Sequence, residues 1–515
     1  MASITNAQLA DALEEAYHCA HDHIVRSSEL PRRTREILEK RKWLQEVVKG
    51  YYLLTTPASE KDGSTLWQGL YWNFLAVYLG DRFGKNYVLS PENSLDLHTC
   101  NTLLPTQIVL STTKGGQGFT ALPHHYSIFS YRIEKKKFPS MIEEKLGVRV
   151  LPLELALSKA GPSFFEKNQV NALIALRLAD PHSLARYLLD ENSSLAAAER
   201  LHQKFITTDQ IKKADQLKNL LHLGGIFLHE PKRLSSIKKR KPETLSTSSP
   251  YAERIQLLWE TMREPIIKNF PTEPGLRKKE KAKVLRSIEE TYANDAYHSL
   301  SIEGYQVSKE MLEKVRSDKW NPDHPNDRDQ LNAMAAKGYL ETFRTVKKGI
   351  IKIFEGKKAA TLVEHDLQTW FTALFSPSLQ LGIVKASDLI GYRNKPVYIR
   401  NSQHVPPAHH GLMDCMEAFF RCLKKEPNTA VQAILGHFMF TFIHPFHDGN
   451  GRLGRFLMNF FFIAGGYPWT IIRSEPKYRT AYLEALEEAS VKRNIVPFTK
   501  LVARSMKVDW SKVKS

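Results

Sequence analysis

The sequence predicts a multidomain chain: an all-α C-terminal core, preceded by the outline of a winged helix-turn-helix and a further folded region. Three observations lead there. From about Ile255 onward apolar residues recur at helical spacing, as in the stretches Leu331 to Ile353, Leu362 to Phe375 and Tyr482 to Ala489. Residues 229–250 are aperiodic, basic and rich in Ser and Pro, as in Glu230-Pro-Lys-Arg233 and Ser246-Thr-Ser-Ser-Pro250, which marks a linker. With 515 residues the chain is long enough for about three domains. The expected boundaries are 1–57, 58–228, the linker 229–250, and 251–515.

At the N-terminus, residues 7–25 read as a helix with Leu9, Leu13 and Tyr17 on one face. Pro31 opens a second, the basic run Pro31-Arg-Arg-Thr-Arg-Glu-Ile-Leu-Glu-Lys-Arg-Lys42. Trp43-Leu44 and Val47-Val-Lys-Gly-Tyr-Tyr-Leu-Leu54 read as a tight hairpin turning near Gly50. Helix, basic helix and wing is the outline of a winged helix-turn-helix, in which Arg32, Arg33, Arg35 and Lys49 would lie on DNA. The alternative is a solvated basic helix before an ordinary hairpin. The chain carries 73 basic against 55 acidic residues, a net charge of +18, which is consistent with binding nucleic acid, nucleotide or an anionic surface. Within the linker, Lys238-Lys-Arg-Lys241 reads either as a nucleic-acid contact or nuclear address, or as a solvated hinge.

The C-terminal core holds the run His444-Pro-Phe-His-Asp-Gly-Asn-Gly-Arg-Leu-Gly-Arg455. Before it, Val431, Ile434, Leu435, Phe438, Met439 and Phe442 keep helical spacing, so His444 falls where a buried helix ends. After it, Leu453, Phe456, Leu457, Phe460, Phe461 and Ala464 repeat the pattern, so a second core helix starts near Asn450. A loop so placed offers the backbone N–H groups of Gly449, Asn450 and Gly451 at a helix N-terminus, where free donors and the helix dipole favour anions. Arg452 and Arg455 are three residues apart and can add charge-assisted hydrogen bonds to phosphate oxygens. Asp448 offers a hard oxygen suited to Mg²⁺, and His444 the one side chain that titrates near neutrality, as a general base requires. Taken singly, each residue suits a capped helix-loop-helix with a surface carboxylate and solvated arginines. As one string they describe group transfer from a nucleoside triphosphate.

This string resembles the Fic family pattern H-x-F-x-[DE]-G-N-G-R-x-x-R at every fixed position. Leu389-Ile-Gly-Tyr-Arg393, Val397-Tyr-Ile399 and His404-Val-Pro-Pro407 look like that family's β-hairpin flap, which holds a target segment extended beside the catalytic His. Ser299-Leu-Ser-Ile-Glu-Gly304 is similar to its inhibitory pattern [ST]-x-x-x-E-[GN], with Tyr305 where Asn is frequent. The resemblance implies transfer of AMP from ATP to a Ser, Thr or Tyr hydroxyl of a target protein. In it His444 deprotonates the hydroxyl, and Asp448 holds Mg²⁺ across the α- and β-phosphates. Gly449, Asn450, Gly451 and Arg452 form the anion hole, Arg455 grips the γ-phosphate, and Glu303, supported by Ser299, competes for Arg455 until displaced. The kinase-like branch that resembles the Doc toxin has Lys where Gly451 stands, so AMP transfer is favoured over phosphorylation, with UMP and phosphocholine transfer left open. Two other readings stay open: removal of AMP, and a DNA-binding regulator whose Fic module modifies itself.

The basic helix, the hairpin and Asn86-Tyr-Val-Leu-Ser-Pro-Glu-Asn-Ser-Leu-Asp-Leu-His98 together resemble AbiEi-type antitoxin regulators, which implies an α/β domain over residues 58–228 and, for the whole chain, a toxin carrying part of its own control. Cys19, Cys100, Cys415 and Cys422 have no metal-like spacing and are too few for a disulfide framework. There is no apolar stretch of membrane-spanning length, and Met1-Ala-Ser-Ile-Thr-Asn-Ala7 lacks a secretory signature, so a cytoplasmic protein without membrane contact is expected, with a secreted effector as the alternative and a homo-oligomer left open.

Overall fold

The computed structural model describes residues 5–55, 65–189, 194–229, 249–320 and 330–507. They belong to two compact units, one made of 1–250 with 398–405, the other of 251–397 with 406–515. Apart from its ends, the expected linker lies outside the described residues, as does the boundary expected at 57/58.

The first unit opens with α1 (Asn6–Cys19), β1 (Ile24–Arg26), α2 (Arg32–Lys40), β2 (Leu44–Val48) and β3 (Tyr51–Leu54). β2 and β3 pair antiparallel around Gly50, whose φ of 91° suits glycine, and β1 takes the other edge of β3. α1 stops at Cys19 and not at residue 25, because Asp22 and His23 take positive φ and Ile24-Val25 turns into the sheet. Its buried face is also shifted from the expected one. Ala12 and Ala16 are buried, whereas Tyr17 is 54% exposed.

A long aromatic helix follows, α3 (Thr65–Phe83), and then β4 (Tyr87–Leu89), α4 (Pro91–His98), β5 (Gln107–Thr112), β6 (Gly118–Ala121), β7 (Ser127–Arg132), β8 (Glu143–Lys145) and β9 (Val148–Val150). Four of these strands form a mixed sheet in the order β4-β5-β7-β6, parallel only between β5 and β7. Ser90-Pro91 sets the strand-to-helix turn: the Ser90 hydroxyl accepts from Asn93 N at 3.2 Å, and Pro91 occupies the first helical position, where its missing N–H costs nothing. α5 (Leu153–Lys159), α6 (Pro162–Lys167), α7 (Gln169–Leu178), α8 (Pro181–Leu189), α9 (Leu195–Thr207) and α10 (Ile211–Leu223) enclose a separate apolar cluster.

Residues 398–405 pack within this unit. The Tyr398 hydroxyl donates to Gly69 O at 3.1 Å, Val405 N donates to Thr102 O at 2.8 Å, and His404 forms a β-bridge with Leu103. The flap expected over 389–407 therefore differs from a self-paired hairpin: its β-bridge is made outside the segment. Pro396, Pro406 and Pro407 have no N–H to give a ladder, and Val397 and Ile399 span too few residues for a stable strand pair.

Among the described residues, the second unit's regular elements are helices: α11 (Pro250–Asn269), α12 (Lys281–Ile302), α13 (Lys309–Arg316), α14 (Gln330–Phe354), α15 (Ala359–Gln380), α16 (Leu412–Lys425), α17 (Thr429–Ile443), α18 (Asn450–Ala464), α19 (Pro476–Lys492) and α20 (Val496–Ser505). α14 lies so close to α15 that a Cβ on Gly338 would come 1.9 Å from Leu374 O. α17 buries Val431, Ile434, Leu435, Phe438, Met439 and Phe442, and α18 buries Leu453, Phe456, Leu457, Phe460 and Phe461, so both run through the core with the loop 444–449 between them. Among the described residues no helix is long and apolar enough to cross a membrane.

Candidate active site

His444 is the residue at which α17 stops. Its φ of 53° and ψ of 59° are left-handed, and its backbone N–H still reaches Phe440 O at 2.9 Å. The ring Nδ1 lies 3.2 Å from Thr441 O; a carbonyl only accepts, so Nδ1 carries the proton and Nε2 keeps a free lone pair. Burial lowers the imidazole pKa below its ordinary value, the Thr441 carbonyl opposes that shift, and the Arg393 charge adds to it. The ring is therefore neutral at pH 7, the form a general base needs.

Arg393 secures this loop in a way the sequence did not disclose. It donates from its backbone N to Pro445 O at 2.9 Å, from Nε to His444 O at 2.7 Å, and from Nη2 to Pro407 O at 2.5 Å. Phe446 is stacked on Phe371 with centroids 3.8 Å apart. Asn450, expected in the anion hole, commits its buried side chain to the loop: Oδ1 accepts from Phe446 N at 3.0 Å and Nδ2 donates to Phe446 O at 2.8 Å. Its backbone N–H, in the first turn of α18, has no partner within the helix and faces the position an anion would take.

Gly449 caps α18 with φ 78°, and a Cβ there would meet Leu374 Cδ2 at 2.8 Å and Phe375 Cε2 at 2.9 Å, so both conformation and space require glycine. One helical position in, Gly451 is bare for a different reason. A Cβ on it would lie 2.3 Å from Glu303 Oε1. The Glu303 carboxylate thus stands over the first turn of α18, where the free N–H groups and positive end of the helix dipole attract anions.

Glu303 is delivered there by the end of α12. Tyr305 N donates to Leu300 O and Gly304 N to Ser301 O, both at 3.1 Å, with Gly304 at φ 94°. This double bond pattern around a left-handed glycine closes the helix, which accounts for the Glu-Gly pair. From it Glu303 Oε1 accepts from Arg455 Nη2 at 2.6 Å, while Ser299 accepts from Arg455 Nε through its hydroxyl at 2.8 Å and from Nη2 through its carbonyl at 2.9 Å. Burial by itself works against the Arg455 charge, and Glu303, with smaller contributions from Tyr482 and Tyr339, more than offsets it.

Arg452 is buried between the rings of Tyr305 and Phe375, its guanidinium carbon 5.0 and 5.1 Å from their centroids. Its Nη2 donates to Asp448 Oδ2 at 3.1 Å, and Asp448 Oδ1 accepts from Gly449 N at 2.5 Å. The Asp448 side chain is 63% exposed, and among the described residues no group of three His, Cys, Asp or Glu could enclose a metal. A single accessible carboxylate fits a magnesium ion held mainly by substrate phosphates and water, and does not fit a cation caged by protein.

Tyr482 and His437 also reach the site. The Tyr482 hydroxyl accepts from Arg455 Nη1 at 3.4 Å and lies 2.9 Å from His437 Nε2, all three side chains being buried. Sequence reasoning leaves Tyr482 out of the site, since an aromatic at helical spacing is usually core, and does not single out His437; a tyrosine and a histidine on helices flanking a buried arginine are the signal that was there. Tyr478, its neighbour, is 43% exposed.

In the first unit, Arg32 is exposed and paired with Glu36 at 2.8 Å, and Arg33 and Lys49 are exposed. Arg35 is turned inward, its guanidinium carbon 5.6 Å from the Tyr52 centroid and its Nη1 donating to Ser27 O at 3.4 Å.

Residues 362–462 match the model of the Fic/DOC family. The chain is 30% identical over 223 residues to the protein adenylyltransferase Fic of Nematostella vectensis, a match covering 42% of this chain and 48% of that protein. It is 26% identical over 394 residues to the protein of the same name from Drosophila ananassae, covering 74% of each. The solved structure of Fic-1 from C. elegans aligns at 17% identity and a TM-score of 0.36, over 68% of this chain and 94% of that one. The chain spans about half the length of the first curated relatives it matches.

Proposed function

We propose that this chain, which carries a Fic domain over residues 362–462, is a protein adenylyltransferase held inactive by its own Glu303. The observation that carries the reading is a carboxylate bound to Arg455 and seated over Gly451, an anion already occupying the cradle at the start of α18. With Glu303 displaced, the α18 N-terminus and Arg452 receive triphosphate oxygens and Arg455 the γ-phosphate. His444 Nε2 takes the proton of a target hydroxyl. The hydroxyl oxygen bonds to the α-phosphorus, the bond from that phosphorus to the bridging oxygen breaks, and pyrophosphate leaves. Asp448 is the residue that would hold Mg²⁺, which supplies charge neutralisation at the phosphates. Positioning and electrostatics provide most of the rate in such a transfer.

The test is the identity of the transferred atom. The Glu303→Gly chain, given ATP labelled at the α- or γ-phosphate together with Mg²⁺ and lysate, should place α-label alone on protein. γ-Label would make it a kinase, and release of AMP from a modified protein by the unaltered chain would reverse the direction.

The same proposal gives the first unit a nucleic-acid face built on exposed Arg32, Arg33 and Lys49, with Arg35 serving the fold. Duplex DNA binding should then fall steeply between ~50 and ~200 mM salt as phosphate contacts release counterions. Binding that is absent, or indifferent to salt, removes this part of the proposal.

A further inference from the structure

Arg455 makes contacts of two kinds. Three of its donated hydrogen bonds go to α12 and its end: Nε to the Ser299 hydroxyl at 2.8 Å, and Nη2 to Ser299 O at 2.9 Å and to Glu303 Oε1 at 2.6 Å. The fourth runs from Nη1 to the Tyr482 hydroxyl at 3.4 Å, on α19. It is long, as expected for a guanidinium drawn onto α12 from its other side.

The direction of this fourth contact is fixed by chemistry. A guanidinium can only donate, so the Tyr482 oxygen accepts there and its own hydrogen must point elsewhere. His437 Nε2, 2.9 Å away, is the acceptor within reach; in that assignment the ring is neutral and carries its proton on Nδ1, which is buried without a hydrogen-bond partner of its own. Burial, with the Arg455 charge nearby, lowers the His437 pKa to about 3, so the ring stays an acceptor at ordinary pH. Tyr482 is fully buried, and its titration is pushed upward, away from neutrality, by that burial. The order Arg455 to Tyr482 to His437 therefore has one polarity. It spans α18, α19 and α17 and uses nothing from α12.

We propose that Tyr482 and His437 are positioning residues for Arg455: when Glu303 gives way, they keep the guanidinium oriented for the terminal phosphate and so set the preference for a nucleoside triphosphate over a diphosphate. This rests on the reading of Arg455 as the γ-phosphate ligand. An arginine held in advance forfeits less side-chain freedom when phosphate arrives.

The test compares ATP and ADP binding, each with Mg²⁺, by calorimetry on the Glu303→Gly chain and on the same chain carrying Tyr482→Phe, His437→Leu or His437→Gln. The parent should prefer ATP. Tyr482→Phe and His437→Leu should weaken ATP about tenfold, the size of one hydrogen bond to a charged group, with ADP affinity unchanged. His437→Gln keeps an acceptor for the Tyr482 proton and should retain the preference. Unchanged ADP binding also shows that each variant is folded; if the phenylalanine chain does not fold, the two His437 variants decide. Equal losses for both nucleotides, or no loss, overturn the positioning role while leaving the γ-phosphate reading intact. A parent that binds ATP and ADP alike overturns that reading and this inference with it.

Discussion

Replacing Glu303 with glycine is expected to raise AMP transfer onto protein by about a hundredfold. The magnitude follows from what the carboxylate does. Its 2.6 Å bond to Arg455 is charge-assisted and partly buried, a class of contact that stabilises by about 1.5–3 kcal/mol, and under the proposed function it occupies the ground that triphosphate oxygens need. A closed state favoured by about 3 kcal/mol leaves under 1% of molecules ready for productive binding, so its removal raises the competent fraction roughly 150-fold. Glycine is tolerated at this place, since residue 303 is the C-cap that follows Ile302, the last residue of α12, and the turn is completed by Gly304. Glu303→Gln separates charge from shape: it keeps a neutral acceptor for Arg455 and should fall between the parent and the glycine variant. The check is the initial rate of α-label incorporation in all three chains. A Glu303→Gly rate within twofold of the parent would show that the carboxylate is not what restrains the site.

The parts of this site that were legible in the sequence are those encoded locally. α17 and α18 are buried almost all round, so their apolar spacing located His444 at a helix end and Asn450 at a helix start without any tertiary information. Glu303 and Arg455 are 152 residues apart, and nothing in periodicity joins them; only the family-like Ser299-to-Gly304 pattern did. His437 and Tyr482 were illegible because a polar aromatic at a buried helical position looks like core until its partner is known. Asn450 was placed in the anion hole by position, yet its side chain spans the loop to Phe446, a use that depends on loop geometry. At the flap, the family resemblance suggested a hairpin and the alternation of Val397 and Ile399 a short strand, and the prolines on either side deny it a ladder. At α1 the large residues Leu9, Leu13 and Tyr17 drew attention from Ala12 and Ala16, the residues that are buried. Sequence patterns report apolar size more readily than close approach.

In the Glu303→Gly background, His444→Asn should lower the transfer rate by about 10²–10⁴-fold, the usual range for loss of a positioned general base. Asparagine is preferred to alanine because His444 sits at φ 53°, a left-handed conformation that asparagine tolerates and that strains most other residues. Its side chain cannot take the hydroxyl proton, whereas Arg455, Arg452 and the α18 N-terminus are untouched, so nucleotide affinity should change by less than about twofold. The pH profile supplies an independent check. The reactive form is the deprotonated imidazole, present above its pKa, and burial places that pKa below the ordinary 6.5. Transfer by the Glu303→Gly chain should therefore be level through neutrality and fall only below pH 6.5, and the residual rate of the asparagine variant should lack that acid limb. An acid limb centred above 6.5, or an asparagine variant within tenfold of its parent, would take His444 out of the base role and leave the hydroxyl to lose its proton directly to solvent or phosphate.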